Sequence, residues 1–207
     1  GKQPMEFDRY VITFNGEIYN FLELRKDLEE KGYKFKTQTD TEVILALYAE
    51  YGEKSFSMLR GMFAFGLWDS VKQKLFLVKD RYGIKPLYYF ADNEKTIFAS
   101  TIRAIKESGM AKLTENKDAK IYFLAFGSIP GPYTTHNEIL SIKPGYFLEI
   151  GSDGQIEEKK YYDSFAPFLD KINNSRETAV KKIKEILRES VKLHLISDAP
   201  LGVFLSG

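Results

Sequence analysis

The stretch that most restricts this chain is Thr13-Phe14-Asn15-Gly16-Glu17-Ile18-Tyr19-Asn20. An apolar run, Tyr10 to Phe14, stops at Asn15-Gly16. Asn-Gly is most often a two-residue hairpin turn. The residues after it point elsewhere. Ile18, Phe21, Leu22, Leu24 and Leu28 recur on one broad helical face, and Gly32 supplies a stop. The spacing therefore predicts a strand-to-helix junction, with Glu17 near the positive end of a helix over 18–31. Free backbone N–H groups at a helix start attract negative charge. The Asn15 carboxamide adds two side-chain donors. Together they suit an oxyanion hole, donors aimed at the charge that develops on a carbonyl oxygen under attack. A purely structural turn is the other reading of the dipeptide.

Composition narrows the classes. At 207 residues, 43% hydrophobic and 14% aromatic, the chain can bury a sizeable core, enough for one domain or one and a part. A net charge of +1 gives no electrostatic case for nucleic acid or an anionic membrane. No apolar run approaches transmembrane length and no signal peptide is legible, so a cytoplasmic protein is expected. The chain has no cysteine, which excludes disulfides, thiolate metal sites and thiol nucleophiles within it. His136 and His194 lie far apart in sequence, and no metal site is expected. Gly1 to Met5 reads as the middle of a loop and the last residues as a strand cut off in a tight loop, so a piece of a longer chain is expected.

Along the chain, Tyr10–Phe14 reads as a strand and Tyr33–Thr37 as a short one. Asp40 or Thr41 can cap a helix through Val43 to Tyr48 that Gly52 ends. Asp40 has two readings, a helix cap or a carboxylate offered to a substrate ammonium. Met62–Asp69 and Lys74–Asp80 predict a hairpin, followed by a loop over 81–86. Leu87–Phe90 and Thr96–Ala99 predict two more strands around a turn at 92–95. Helices are expected over 101–109 and 117–126, then a Gly/Pro-rich loop over 127–132. Asp153-Gly154 lies between strands 147–150 and 155–158, a strong hairpin signal. Periodicity disappears from 163 to 175, which reads as a linker. Ser175 then caps a long amphipathic helix with Ala179, Val180, Ile183, Ile186, Leu187 and Val191 on its buried face. Val203-Phe204-Leu205 suits a buried parallel strand.

Five motifs occur together in order: Phe14–Asn20, Thr39–Ile44, Gly61–Phe65, Lys79–Tyr89 and Ser197–Gly207. With them the chain resembles the glutamine-hydrolysing asparagine synthetases of the bacterial B type, from about Gln3 to Gly207. The resemblance implies an α+β fold: an N-terminal-nucleophile hydrolase type αββα sandwich lacking its first strands. The opening helix and strand of an α/β ATP-pyrophosphatase domain would follow. The implied domains are residues 1–162 for the class II glutamine amidotransferase, 163–175 for the linker and 176–207 for the start of the synthetase domain. It further implies glutamine hydrolysis to ammonia, which amidates aspartate through a β-aspartyl adenylate, with ATP and magnesium as cofactors. A homodimer is one arrangement open to it.

Residue by residue, the resemblance implies that Asn15 (side chain) and Gly16 (backbone N–H) form the oxyanion hole. It also implies that Glu17 and Asp40 hold the glutamine α-amino end, with Asp40 the main carboxylate, and that Leu205, Ser206 and Gly207 begin an ATP-binding pyrophosphate loop. The departures are also plain. The family's nucleophile is an N-terminal cysteine, and position 1 here is Gly. Thr101 stands where the family usually has Glu. As written, the chain is expected to hydrolyse nothing. Alternatives are a β-lactam-synthetase-like or other amidotransferase-fold ligase, and a non-catalytic glutamine-binding module.

Overall fold

A computed structural model describes residues 2–166, 175–196 and 202. The chain divides into two units, Gly1–Ser164 and Phe165–Gly207.

The first unit is built on a six-stranded antiparallel sheet with strand order β1-β2-β3-β4-β8-β9. Its strands are β1 (Met5–Phe7), β2 (Tyr10–Ile18), β3 (Gly61–Asp69), β4 (Lys74–Lys79), β8 (Tyr146–Gly151) and β9 (Ile156–Lys160). A three-stranded sheet, β6-β5-β7, comprises β5 (Tyr88–Ala91), β6 (Thr96–Ala99) and β7 (Leu140–Ser141). Strand alternation sorts the large sheet's side chains into two cores. Tyr10, Ile12 and Ile18 of β2, Phe63, Phe65 and Leu67 of β3, and Phe76 and Val78 of β4 share one face. They pack with Leu24 and Leu28 of α1 (Phe21–Glu30), Val43 to Tyr48 of α2 (Asp40–Tyr51) and Phe56 of α3 (Ser55–Met58). Ala64, Leu77, Leu148 and Ile150 point the other way, onto Leu87, Ile142, Tyr89 and Phe98 around the small sheet. Beyond that sheet, Ile105 of α4 (Ile102–Glu107) is buried against Phe90 and Ile139. The order is helices, sheet, sheet, helix, and the mixed αββα expectation holds for this unit.

Several local expectations are corrected. Asn15 to Ile18 are not a strand-to-helix turn. They continue β2, paired in register with Ala64, Phe63, Met62 and Gly61. The first helix starts at Phe21. Its helix-like spacing loses to nine residues of continuous ladder, and Leu22 is 53% exposed rather than on the buried face. Glu17 is accordingly a residue of β2 and not one at the start of the first helix. Residues 33–37 form no strand. The Lys36 and Thr37 N–H groups bond the Glu42 carboxylate at 2.8 and 2.7 Å instead of a ladder partner. Thr39, not Asp40 or Thr41, caps α2, its hydroxyl accepting the Glu42 N–H. The hairpins at 70–73 and 152–154, the 88–99 strand pair and the ending of α2 at Gly52 stand as expected.

In the second unit, α5 (Arg176–His194) is capped by Ser175, whose hydroxyl accepts the Thr178 N–H. Its apolar stripe is not buried: Val180, Ile183, Ile186, Leu187 and Val191 are 42–58% exposed. An amphipathic helix buries its stripe only against a second apolar surface. The central part of the expected 163–175 linker and the strand expected at 203–205 lie outside the described residues. No helix among them is long and apolar enough to cross a membrane.

Candidate active site

The geometry of the site follows from the ladder between β2 and β3. In an antiparallel pair, successive N–H groups point to opposite edges. The Tyr19 N–H bonds the Arg60 carbonyl beyond β3's first residue at 2.8 Å, so the odd-numbered donors face β3. The even-numbered donors face away. Phe14 N–H finds the side-chain oxygen of Gln3 at 2.7 Å, and Ile18 N–H finds Asp40 Oδ2 at 3.0 Å. Gly16 lies between them. Its partner Phe63 turns both backbone groups to the far side, onto Asp80. Alternation therefore leaves the Gly16 N–H on the open edge of β2, with no acceptor given to it among the described residues.

Side-chain alternation places Thr13, Asn15 and Glu17 on the face that looks toward the small sheet. Asn15 is exposed, and its Nδ2 donates to Ser100 Oγ at 3.1 Å, just past the end of β6. An amide NH₂ carries two hydrogens, so one remains for a ligand. Asn15 and Ser100 line a cavity of about 360 Å³ between the sheets, with Thr13, Gln3, Leu87 and Phe98 on its walls. Glu17 is exposed opposite Met62. Asp40 is the first residue of α2, half-buried, its Oδ2 on Ile18 and its Oδ1 taking the Thr41 hydroxyl at 3.4 Å. Asp40 thus ties the start of α2 to the strand two residues beyond Gly16. Asn15, Gly16, Glu17 and Asp40 are gathered along one strand edge. Leu205, Ser206 and Gly207 lie outside the described residues.

Gly16 is required where it stands. Its φ is +151°, and a Cβ there would lie 2.1 Å from the Met62 carbonyl oxygen and 2.7 Å from Phe63 Cα. Gly61 opposite is as tight, a Cβ meeting the Glu17 oxygen at 2.1 Å. Asn20 holds the turn that follows, its Nδ2 on the Met58 carbonyl and its Oδ1 accepting the Arg60 N–H. Burial, with Glu17 and Asp80 adding to it, pushes the Tyr19 phenol up. Burial pushes the neighbouring Lys79 amine down, against the opposing pull of Asp80.

Sequence reading missed Ser100, Gln3, Thr39 and Asp80. Ser100 and Gln3 carry no local signal, because each meets its partner across 85 or 11 residues of chain. Thr39 was legible as a hydroxyl three residues before Glu42, the capping-box spacing.

A family model described as a glutamine amidotransferase domain matches residues 1–162. The chain is similar to glutamine-hydrolyzing asparagine synthetase 1 of Bacillus subtilis (strain 168), with 39% identity over 210 residues, 100% of this chain and 32% of the relative. Glutamine-hydrolyzing asparagine synthetase 3 of the same organism is 32% identical over 219 residues, with 100% and 34% covered. The chain thus spans about a third of the length of these curated relatives. Among solved structures, the glutamine phosphoribosylpyrophosphate amidotransferase of B. subtilis superposes with a TM-score of 0.52 at 22% identity. That superposition covers 77% of this chain and 32% of the other, and it speaks to the fold alone.

Proposed function

Because the chain belongs to the glutamine amidotransferase domain family, we propose that the open edge of β2 is where the side-chain amide of glutamine is hydrolysed to ammonia. The observation that carries this reading is the Gly16 N–H on a free strand edge, between two amides that side chains occupy and beside the Asn15 carboxamide. A nucleophile supplied from outside these residues attacks the amide carbon, and the carbonyl oxygen takes up negative charge. Asn15 Nδ2 and Gly16 N donate to it. Both donors are fixed before the reaction, Asn15 by Ser100 and Gly16 by β3, so little reorganisation is needed as charge develops. Asp40, with Glu17, takes the α-ammonium of the substrate. In a longer protein like the relatives, the ammonia would amidate aspartate, and the ATP and magnesium that the resemblance implies belong to that part.

Titration of the 207-residue chain with L-glutamine, followed by calorimetry, tests the binding half. Asp40→Asn keeps an oxygen for Ile18 N–H but removes the charge, and should weaken binding about tenfold or more, the usual worth of a charge-assisted hydrogen bond. Asn15→Ala should change ground-state binding little, because its donor acts mainly on the transition state. In a longer protein that carries the nucleophile, Asn15→Ala should cut glutaminase turnover about 100- to 1000-fold and spare ammonia-dependent synthesis. Equal loss of both activities would remove Asn15 from the role given to it.

A further inference from the structure

Asp80 follows β4, two strands away from β2, yet the backbone opposite Gly16 is held by it. β4 ends at Lys79. One residue further the ladder should continue through the Asp80 N–H and carbonyl, both facing Phe63. The N–H does so, bonding the Phe63 oxygen at 2.8 Å. The carbonyl does not: it accepts the Gly83 N–H at 3.2 Å and the Gly145 N–H at 2.9 Å. The side chain takes its place, Asp80 Oδ2 accepting the Phe63 N–H at 3.2 Å. Oδ2 also accepts the Lys85 N–H at 2.9 Å, and Oδ1 accepts those of Tyr82 and Ile84, both at 3.0 Å. A fully buried carboxylate thus meets four backbone donors. One is in the strand that abuts Gly16, and three are in a loop whose Tyr82 and Ile84 side chains are exposed.

We infer that Asp80 is a positioning residue for glutamine hydrolysis, holding Phe63 so that β3 presses on Gly16 and fixes the direction of its N–H. This rests on the oxyanion role given to Gly16 above. The contact leaves no slack, since the Gly16 backbone lies against Met62 and Phe63 too closely to admit a methyl group. Any shift of Phe63 is passed on to Gly16. Asparagine in place of Asp80 has the same shape but aims one NH₂ at N–H donors, so two of the four bonds become donor–donor contacts. A displacement of about 1 Å in a catalytic group is enough to cost about 100-fold in rate. The 81–85 loop shares the carboxylate, so its conformation is coupled to the same donor.

The test is amide NMR on the ¹⁵N-labelled 207-residue chain, with and without L-glutamine. In Asp80→Asn, the Gly16 and Phe63 resonances should shift or broaden, while Ile12 and Leu67, paired at the other end of the same ladder, stay in place. On adding glutamine, the Gly16 response should fall several-fold while the dissociation constant changes less than about threefold, because the ammonium site at Asp40 is untouched. General destabilisation would not separate the two. Unmoved Gly16 resonances in Asp80→Asn overturn the inference. If Gly16 ignores glutamine in the unsubstituted chain, the oxyanion reading fails, and the ligand-free spectra still decide whether Asp80 positions Gly16. Should Asp80→Asn not fold, Gly83→Ala decides instead. Its Cβ would lie 2.9 Å from Pro144 Cγ at a φ of +68°, straining the same loop. The same Gly16 shift is expected there, and its absence overturns the inference.

Discussion

Replacing Gly16 by alanine puts the account under the greatest strain. The new Cβ would meet the Met62 oxygen at 2.1 Å and Phe63 Cα at 2.7 Å, both backbone atoms that no rotamer change can move. Restoring an ordinary contact of about 3.2 Å or more requires β2 and β3 to part by about 1 Å at this point. Overpacking of this kind costs about 1–3 kcal/mol. The φ of +151° adds a backbone penalty, which for sparsely populated conformations is about 1–3 kcal/mol. The expected loss is therefore about 2–6 kcal/mol, a drop of roughly 4–24 °C in Tm for a chain of this size. Gly61→Ala supplies the comparison. Its Cβ meets the Glu17 oxygen at the same 2.1 Å from the opposite strand, with no positive φ to relieve. It should lose about 1 kcal/mol less or better. Trp68, the chain's single tryptophan, lies in β3 itself and reports the unfolding by fluorescence in urea. If Gly16→Ala costs less than about 0.5 kcal/mol, or less than Gly61→Ala, the strand geometry drawn for the site is wrong.

Asn20→Ala should destabilise the chain by about 1–3 kcal/mol in the same assay, because it strands the Arg60 N–H and the Met58 carbonyl beside the site. Acid should weaken the fold partly through Glu42. Burial works to raise its pKa, but the Lys36 and Thr37 donors outweigh it and hold the carboxyl below its ordinary 4.5. A lowered folded pKa means stability fully present above the unfolded value and lost as pH falls through the folded one. Glu42→Gln should thus flatten the stability curve below about pH 4.5, and an unchanged slope there would remove Glu42 from the acid response. Lysines at Ile183 and Leu187 should reduce binding of a hydrophobic dye without moving the Trp68 unfolding midpoint, since the stripe they break is exposed. A lowered midpoint would mean that the stripe is buried in solution.

Much of the fold was legible because its signals are local. Asp153-Gly154 between two short strands is a strong hairpin signal, and Gly52 and Ser175 end and begin helices by their own chemistry. The failures share one cause. The helical spacing after Asn15 is real, but Ile18 is claimed by Gly61 across 43 residues of chain, and a nine-residue ladder outweighs local propensity. Residues 33–37 read as a strand because of Tyr33 and Phe35, whereas the Glu42 carboxylate, six and five residues on, takes the Lys36 and Thr37 N–H groups. Asn15, Gly16, Glu17 and Asp40 were singled out by motif, and the fold gathers them along one strand edge. The reason Gly16 offers its N–H could not: it is a strand-parity effect rather than a helix terminus, and parity needs the register. Asp80 was passed over because its role depends on which way its own carbonyl turns.

The most direct measurement is a crystal structure of the chain with L-glutamine bound. The account expects the side-chain carbonyl oxygen of glutamine within about 2.7–3.1 Å of both Asn15 Nδ2 and Gly16 N, with the α-ammonium at Asp40. Glutamine seated elsewhere, or a Gly16 N–H bonded to an acceptor of the protein while glutamine is present, would contradict it.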